Sequence, residues 1–176
     1  PAPRASVGRM TLLQAESWGY QLQALDEKGF AELFYDVIVM DYTRTGETGT
    51  EFKPAAIDKI RTKPNGQRRI LLSYLSIGEA ESYRYYWKPE WKDKRPAWIS
   101  HQNKEWAGNY IVRFWDPRWR QIIYDAADAY LARIIEAGFD GVYLDRVDAY
   151  EGWLGERTTA ERDMVEFVKA IAAYAR

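Results

Sequence analysis

Carboxylate side chains follow several of the short apolar runs in this sequence, namely Asp41, Glu79, Asp116, Asp145 and Asp148. In parallel α/β proteins, ligands bind and chemistry takes place at the carboxyl ends of the strands. Two carboxyl groups at such an edge can hydrolyse a glycosidic bond. One protonates the leaving oxygen, and the other attacks the anomeric carbon or activates water. These side chains are therefore candidates for an acid, a base or a nucleophile.

Asp145 is the first candidate for a catalytic carboxylate. It stands directly after the apolar run 142–144, which is long enough for a strand and too short for a helix. The alternative is a structural carboxylate that bonds loop amides or Arg146. Asp148, three residues further on, is expected to orient a sugar hydroxyl or a neighbouring side chain.

The other acidic candidates have different expected roles. Glu79 follows Gly78, which permits a close approach of backbone, and we expect Glu79 to contact substrate or to tune a neighbouring acid. Asp41 is expected to hydrogen-bond an amino sugar or Tyr74. Asp116 precedes a proline that suits the first turn of a helix, so it is predicted to be a helix cap.

Aromatic residues are abundant, with 8 Trp, 13 Tyr and 6 Phe. Most are expected in the core, but aromatic rings also pack against the C–H faces of sugars. Tyr20, Tyr74, Trp115 and Tyr150 lie at or near predicted strand ends and are the candidates for a sugar platform. Arg113, within a predicted strand, is expected to pair with Asp41 or Asp145, because buried charges are rarely unpaired.

Composition excludes several classes of function. The 176 residues carry a net charge of -1 without a basic patch, so no nucleic-acid partner is expected. There is no cysteine and one histidine, His101, which excludes a thiolate or His-rich metal site and a Ser–His–Asp set. No apolar run approaches a membrane span. The start 1–6 looks processed, which favours a secreted or periplasmic protein.

Five apolar runs alternate with helical segments, which predicts five βα units and a mostly parallel sheet. The predicted strands are 18–22, 34–40, 69–77, 110–115 and the run before Asp145. Helices are predicted from Pro54, from Pro117 to about Ala137 with Gly138 as the stop, and from Thr158 or Thr159, where Thr158 and Glu161 fit a capping box. A long irregular segment, about 80–108, is expected to be functional.

Two architectures compete for this pattern. A doubly wound five-stranded sheet fits the length of the chain. A (β/α)₈ barrel fits the short strands with polar tips, but typically needs about 200–250 residues. The last helix runs to Arg176 without a stop signal, so the chain is suspected to end before a further strand.

The runs Ser73–Glu81 and Gly138–Asp148 resemble glycoside hydrolase family 114, which contains endo-α-1,4-polygalactosaminidases. The segments 18–22, 35–41 and 115–119 match its other strand ends in the same order. The resemblance covers nearly the whole chain. It implies a (β/α)₈ TIM barrel of which this chain holds the first five βα units, with a tail at 1–10 and one partial barrel domain at 11–176.

The resemblance also implies an activity. The expected enzyme cuts α-1,4 linkages in an exopolysaccharide that contains galactosamine or N-acetylgalactosamine, by a retaining mechanism without metal or organic cofactor. Asp145 would be one of the two carboxyls, and the second is expected after a sixth strand. The alternative is a non-catalytic carbohydrate-binding barrel or an enzyme remnant. Open barrel edges would favour self-association.

Overall fold

A computed structural model describes residues 11–175, so the predicted tail at 1–10 lies outside the described residues. Seven strands and five α-helices follow one another in this part of the chain. In order they are β1 (Trp18–Gln21), α1 (Glu27–Ala31), β2 (Val37–Met40), α2 (Pro54–Arg61), β3 (Ile70–Ser76), β4 (Glu79–Glu81), β5 (Ile99–Gln102), β6 (Asn109–Val112), α3 (Pro117–Ile123), α4 (Tyr130–Ala137), β7 (Gly141–Asp145) and α5 (Ala160–Tyr174). Short 3₁₀ turns add Leu12–Gln14, Pro89–Lys92 and Ala149–Trp153.

The main sheet has four parallel strands in the order β1-β2-β3-β7. Each new strand is added on the same side, whereas a doubly wound sheet reverses its strand order at a switch point. The sheet also curls strongly. Tyr20 on β1 and Tyr143 on β7 belong to its two edge strands, yet their ring centroids are 5.7 Å apart. Both features are those of a barrel wall.

The predicted fourth strand does not join this sheet. Its residues form β6, which pairs antiparallel with β4 and β5 in a separate three-stranded sheet. The parallel sheet therefore has four described strands, where the sequence predicted five. The predicted irregular segment 80–108 supplies part of β4 and all of β5. The prediction failed because apolar alternation marks a strand without indicating which sheet the strand joins.

The helix predicted from Pro117 to Ala137 is broken between α3 and α4. At the break, the carbonyl oxygen of Asp128 accepts hydrogen bonds from Tyr85 Oη at 2.9 Å and from Arg133 Nε at 3.2 Å. In a continuous helix a backbone N–H would bond this carbonyl oxygen, and here the two side chains do so instead. The new helix starts at Tyr130, which is buried in the core.

Helix termini confirm two predicted signals and correct a third. Gly138 ends α4 with φ +94°, and the side chain of Asp116 caps α3 by accepting a bond from the Arg118 N–H. The predicted capping box of Thr158 and Glu161 does not form. Helix α5 begins after Thr159, one of the two predicted starts, and the Thr159 hydroxyl donates to the carboxylate of Asp163 at 2.8 Å.

Two hydrophobic clusters flank the parallel sheet. The smaller one packs α1 and α2 against β2 and β3 through residues such as Phe30, Ile57 and Leu71. The larger one joins the remaining helices to β3 and the antiparallel sheet and is rich in aromatic rings, including Trp98 and Trp119. The antiparallel sheet is therefore fixed to the body of the protein and can form a rigid wall beside the strand ends.

Candidate active site

A cavity of about 520 Å³ opens at the carboxyl ends of the parallel strands. One side is formed by residues at or beyond these strand ends, among them Leu22, Asp41 and Asp145. The other side is formed by β4 and by the connection between β5 and β6, residues 103–108. The cavity thus lies where ligands bind in parallel α/β folds.

Asp145 is the last residue of β7 and accepts a hydrogen bond from the phenol of Tyr74 on β3, with 2.6 Å between Tyr74 Oη and Asp145 Oδ2. Tyr74 is buried. Its burial, together with the charges of Glu81 and Asp145, raises its pKa well above the ordinary value. The phenol keeps its proton near neutral pH and donates it in the hydrogen bond to Asp145. Burial and the charge of Asp145 likewise raise the pKa of Tyr20 to about 12.

Asp41 belongs to a buried network centred on Arg84. The guanidinium of Arg84 donates to both oxygens of Asp41, at 2.9 and 2.6 Å, and to Glu81 at 2.7 Å. Glu81 also accepts the hydroxyl of Tyr83 at 2.6 Å. Burial opposes the charge of Arg84, but the surrounding acidic groups more than offset it and raise the pKa of Arg84 above its ordinary value. The network ties β4 to the end of β2.

Glu79 forms a second anchored group. Its carboxylate is 1% exposed and accepts the side-chain amides of Asn103 at 2.8 Å and Asn109 at 3.1 Å. Arg146, which follows β7, lies 3.0 Å from the same carboxylate. The carboxylate therefore connects β4, the β5–β6 connection and the end of β7.

Negative charge dominates the cavity. Among residues 11–175, five carboxylates and two guanidinium groups line it. They are Asp41, Glu79, Glu81, Glu105 and Asp145, with Arg84 and Arg146. In a concave site with low-dielectric walls, an excess of one sign concentrates ligands of the opposite sign. The cavity thus suits a neutral or cationic ligand better than an anionic one.

The structure brings five of the predicted site residues to this cavity: Tyr20, Asp41, Tyr74, Glu79 and Asp145. The other three, Trp115, Asp148 and Tyr150, are not among its lining residues. Trp115 packs edge-on against Trp153, Tyr150 packs partly buried against the larger core cluster, and Asp148 is exposed 3.9 Å from Arg146. Their binding of sugar stays a prediction.

Two predicted pairings are wrong. Tyr74 bonds Asp145, while Asp41 is held by Arg84 and by the backbone and hydroxyl of Thr43. Arg113 pairs with Glu156, which raises the pKa of Arg113, and contacts neither Asp41 nor Asp145. Because β6 lies outside the parallel sheet, Arg113 points toward the segment after β7.

Sequence reasoning missed several lining residues. They are Glu81, Tyr83, Arg84, Asn103, Glu105, Trp106, Asn109 and Arg146. Glu81 had a usable signal, because it stands two residues after Glu79 and therefore shares its face of an extended strand. The other missed residues lie in irregular segments or next to them. In such segments no periodicity indicates toward which side of the protein a side chain points.

A family model for glycoside hydrolase family GH114 matches residues 2–176 of this chain. An uncharacterized protein of Thermotoga maritima is 37% identical over 165 residues, which is 92% of this chain and 49% of the relative. An uncharacterized protein of Methanocaldococcus jannaschii is 39% identical over 163 residues, 90% of this chain and 44% of the relative. The chain spans about half the length of these curated relatives.

Solved structures share the fold. Aspergillus fumigatus Ega3 in complex with galactosamine superposes with a TM-score of 0.62 at 21% identity, over 90% of this chain and 55% of that one. The glycoside hydrolase domain of PelA from Pseudomonas aeruginosa superposes with a TM-score of 0.63 at 16% sequence identity. The match covers 90% of this chain and 56% of the PelA domain. Both are TIM-barrel domains, about half of which this chain covers.

The curled, singly wound sheet with an acidic cavity at its strand ends defines an α/β protein of the TIM-barrel type. Within that class, the chain belongs to glycoside hydrolase family GH114. The described helices include none that is both long and apolar enough to cross a membrane.

Proposed function

We propose that this chain is the cavity-bearing part of a glycoside hydrolase that cleaves α-1,4 linkages in a polysaccharide containing galactosamine or N-acetylgalactosamine. Asp145 acts as one of the two carboxyl groups, and the reaction retains the anomeric configuration. The observation that carries the proposal is the position of Asp145. It ends a parallel strand, lines the cavity and accepts a short hydrogen bond from a protonated Tyr74.

The engagement of the other carboxylates supports the choice of Asp145. Asp41 and Glu81 are bound by Arg84, and Glu79 is held by two amides and Arg146. Their oxygens are occupied by protein donors, so they suit positioning better than reaction with a sugar. Among the described residues, no guanidinium or ammonium group pairs with Asp145. Its remaining oxygen can therefore face the substrate.

The charge of the cavity supports an amino sugar. A galactosamine unit carries an ammonium group, which the excess of carboxylates attracts. This agrees with the galactosamine bound by Ega3, a protein with the same fold. An extracellular polymer substrate further favours a secreted or periplasmic enzyme. We propose that the second carboxyl comes from the part of the family barrel that follows the segment matched here.

The experiment is a substrate panel with the whole protein. Purified α-1,4-galactosaminan, its N-acetylated form and a β-1,4-glucosamine polymer are incubated with enzyme, and new reducing ends are counted. Cleavage of the α-1,4-linked galactosamine polymers alone is the expected result, with NMR of the first product showing an α-anomer. Cleavage of the β-linked polymer alone, or a β-anomer as first product, contradicts the proposal.

A second candidate function follows from the same contacts. With Asp41, Glu79 and Glu81 all engaged by amides or guanidinium groups, Asp145 is the strand-end carboxylate of the cavity that has no cationic partner among the described residues, and a lone carboxylate can bind a sugar without cleaving it. This alternative is a non-catalytic carbohydrate-binding barrel. It predicts saturable binding of the oligosaccharides in the panel without the appearance of new reducing ends.

A further inference from the structure

The connection between β5 and β6 carries an exposed aromatic ring at the mouth of the cavity. Trp106 lines the cavity and is 64% exposed. An exposed ring at the edge of a cavity is a candidate binding surface, because burying one face of a tryptophan removes much apolar area from water. Trp106 lies next to Glu105, whose side chain also lines the cavity and has no cationic partner among the described residues.

The backbone around Trp106 is held by hydrogen bonds. The Asn109 N–H donates to the Trp106 carbonyl at 3.1 Å, and the Asn103 N–H donates to the Asn109 carbonyl at 2.8 Å. The Glu105 N–H donates to the side chain of Asn103 at 2.9 Å. Gly108 adopts φ +90°, and its carbonyl accepts from the Ser82 N–H at 2.8 Å. The connection is therefore a shaped turn.

Glu79 fixes this turn to the body of the protein. Its buried carboxylate receives the amides of Asn103 and Asn109, the two residues that bracket the turn, and lies against Arg146. A platform held in advance loses little conformational freedom when a ligand binds. This arrangement gives Glu79 a positioning role, while its predicted contact with substrate stays a prediction.

We propose that Trp106 is a stacking platform for a hexosamine ring of the polymer, in a subsite next to the ring that lies at Asp145. The proposal rests on the proposed function, because the polymer is its substrate. The indole face packs against the C–H face of the sugar. Glu105 beside it accepts a hydrogen bond from the ammonium group of a galactosamine unit. Continuity with the acidic cavity and the charge of Glu105 both favour this occupant.

The test is calorimetric binding of α-1,4-galactosamine oligomers of one to six units. The whole protein carries Asp145→Asn in every sample, so that no oligomer is consumed. Trp106→Ala is expected to weaken binding of the longer oligomers about tenfold and to leave the monosaccharide unchanged. Trp106→Phe is expected to recover most of that affinity. The matched control is Trp18→Ala, since Trp18 is 61% exposed and does not line the cavity.

Three outcomes decide the matter. A length-dependent loss in Trp106→Ala, absent from Trp18→Ala, supports the subsite. Equal affinities of Trp106→Ala and its parent for every oligomer overturn it, as does an equal loss for monosaccharide and hexamer. Cleavage by the protein without substitutions is measured separately, so a failure of hydrolysis with a retained length-dependent loss contradicts the proposed function and not the subsite.

Discussion

Tyr74 donates its phenolic hydrogen to Asp145 across neighbouring strands, with 2.6 Å between Tyr74 Oη and Asp145 Oδ2. The register pairs Tyr74 with Tyr143 and places Asp145 two residues further along β7, so the long phenol reaches it diagonally. A donor held by a buried strand fixes one oxygen of the carboxylate, and the other oxygen has no donor among the described residues. Tyr74 is thus a positioning residue for the proposed catalytic carboxylate.

Tyr74→Phe removes this donor and little else. A hydrogen bond to a charged group contributes about 1.5–3 kcal/mol, so kcat is expected to fall about 10–100-fold while KM changes little. Steady-state kinetics on the α-1,4-galactosamine polymer measure both constants. Tyr124→Phe, outside the cavity, is the control. A kcat of Tyr74→Phe within twofold of the control would show that the bond does not position Asp145 for reaction.

Gly78 is required by close packing between β3 and the segment after β7. A Cβ at this position would lie 2.5 Å from the carbonyl oxygen of Arg146 and would overlap the Cβ of Ala149. Gly78→Ala is therefore expected to reduce the free energy of unfolding by about 1–3 kcal/mol, measured by urea denaturation. Gly152→Ala, where a Cβ meets nothing within 4 Å, should change it by less than about 0.5 kcal/mol. Equal stabilities of the two variants would contradict the packing argument.

Asp36 fastens the start of β1 to β2. It accepts bonds from Lys63, from the Glu16 N–H and from Ser17, and these bonds lower its pKa to about 2, with Lys63 the largest cause. A carboxylate whose pKa is lowered on folding stabilises the protein above the unfolded value, near 4, and loses that contribution as the pH falls toward 2. The free energy of unfolding is therefore expected to fall between pH 4 and pH 2.

Asp36→Asn checks this assignment. At pH 7 the variant leaves the buried Lys63 without its carboxylate, and we expect a loss of about 3 kcal/mol. The variant should also lose less stability than the unsubstituted protein between pH 4 and pH 2. Asp58→Asn, which removes an exposed pair with Arg68 and a longer contact of 3.7 Å to Arg61, serves as the control and should cost less than about 1 kcal/mol. Parallel stability curves for Asp36→Asn and the parent would refute the role of Asp36.

Arg84 compensates two buried carboxylates with one guanidinium. Arg84→Met would leave Asp41 and Glu81 facing each other without a cation, and is expected to reduce the free energy of unfolding by about 3–5 kcal/mol. Arg68→Met, which removes one partner of an exposed ion pair, is the control. It is expected to reduce the free energy of unfolding by less than about 1 kcal/mol. Adding Glu81→Gln should restore part of the loss, because it removes one of the two charges. A smaller loss in Arg84→Met than in Arg68→Met would rule out this role.

The sequence predicted the parallel framework and the strand-end carboxylate well. Asp145, Tyr74 and Tyr20 meet at one cavity because strands of one parallel sheet end at one edge, which alternation and loop length already indicate. Family resemblance supplied the barrel, which length alone argued against. The four-stranded curled sheet and the TIM-barrel relatives support that choice.

The remaining site residues depended on long-range contacts. Arg84 lies in an irregular stretch, and its partner Asp41 is 43 positions away, so no local pattern relates the two. Trp115 follows a strand in the sequence, but that strand belongs to the antiparallel sheet, and the ring packs on Trp153 away from the cavity. Strand pairing is decided by packing between distant segments, which hydrophobic periodicity does not encode.

The central claim is that Asp145 is a reacting carboxyl. The direct measurement is the rate of reducing-end release from α-1,4-galactosaminan by the whole protein carrying Asp145→Asn, with Asp125→Asn, an exposed position outside the cavity, as the control. Loss of one of two catalytic carboxyls is expected to lower the rate by a factor of about 10³ or more, while polymer binding and the thermal unfolding midpoint stay close to those of the control. A folded Asp145→Asn variant that cleaves the polymer at the rate of the control would contradict the account.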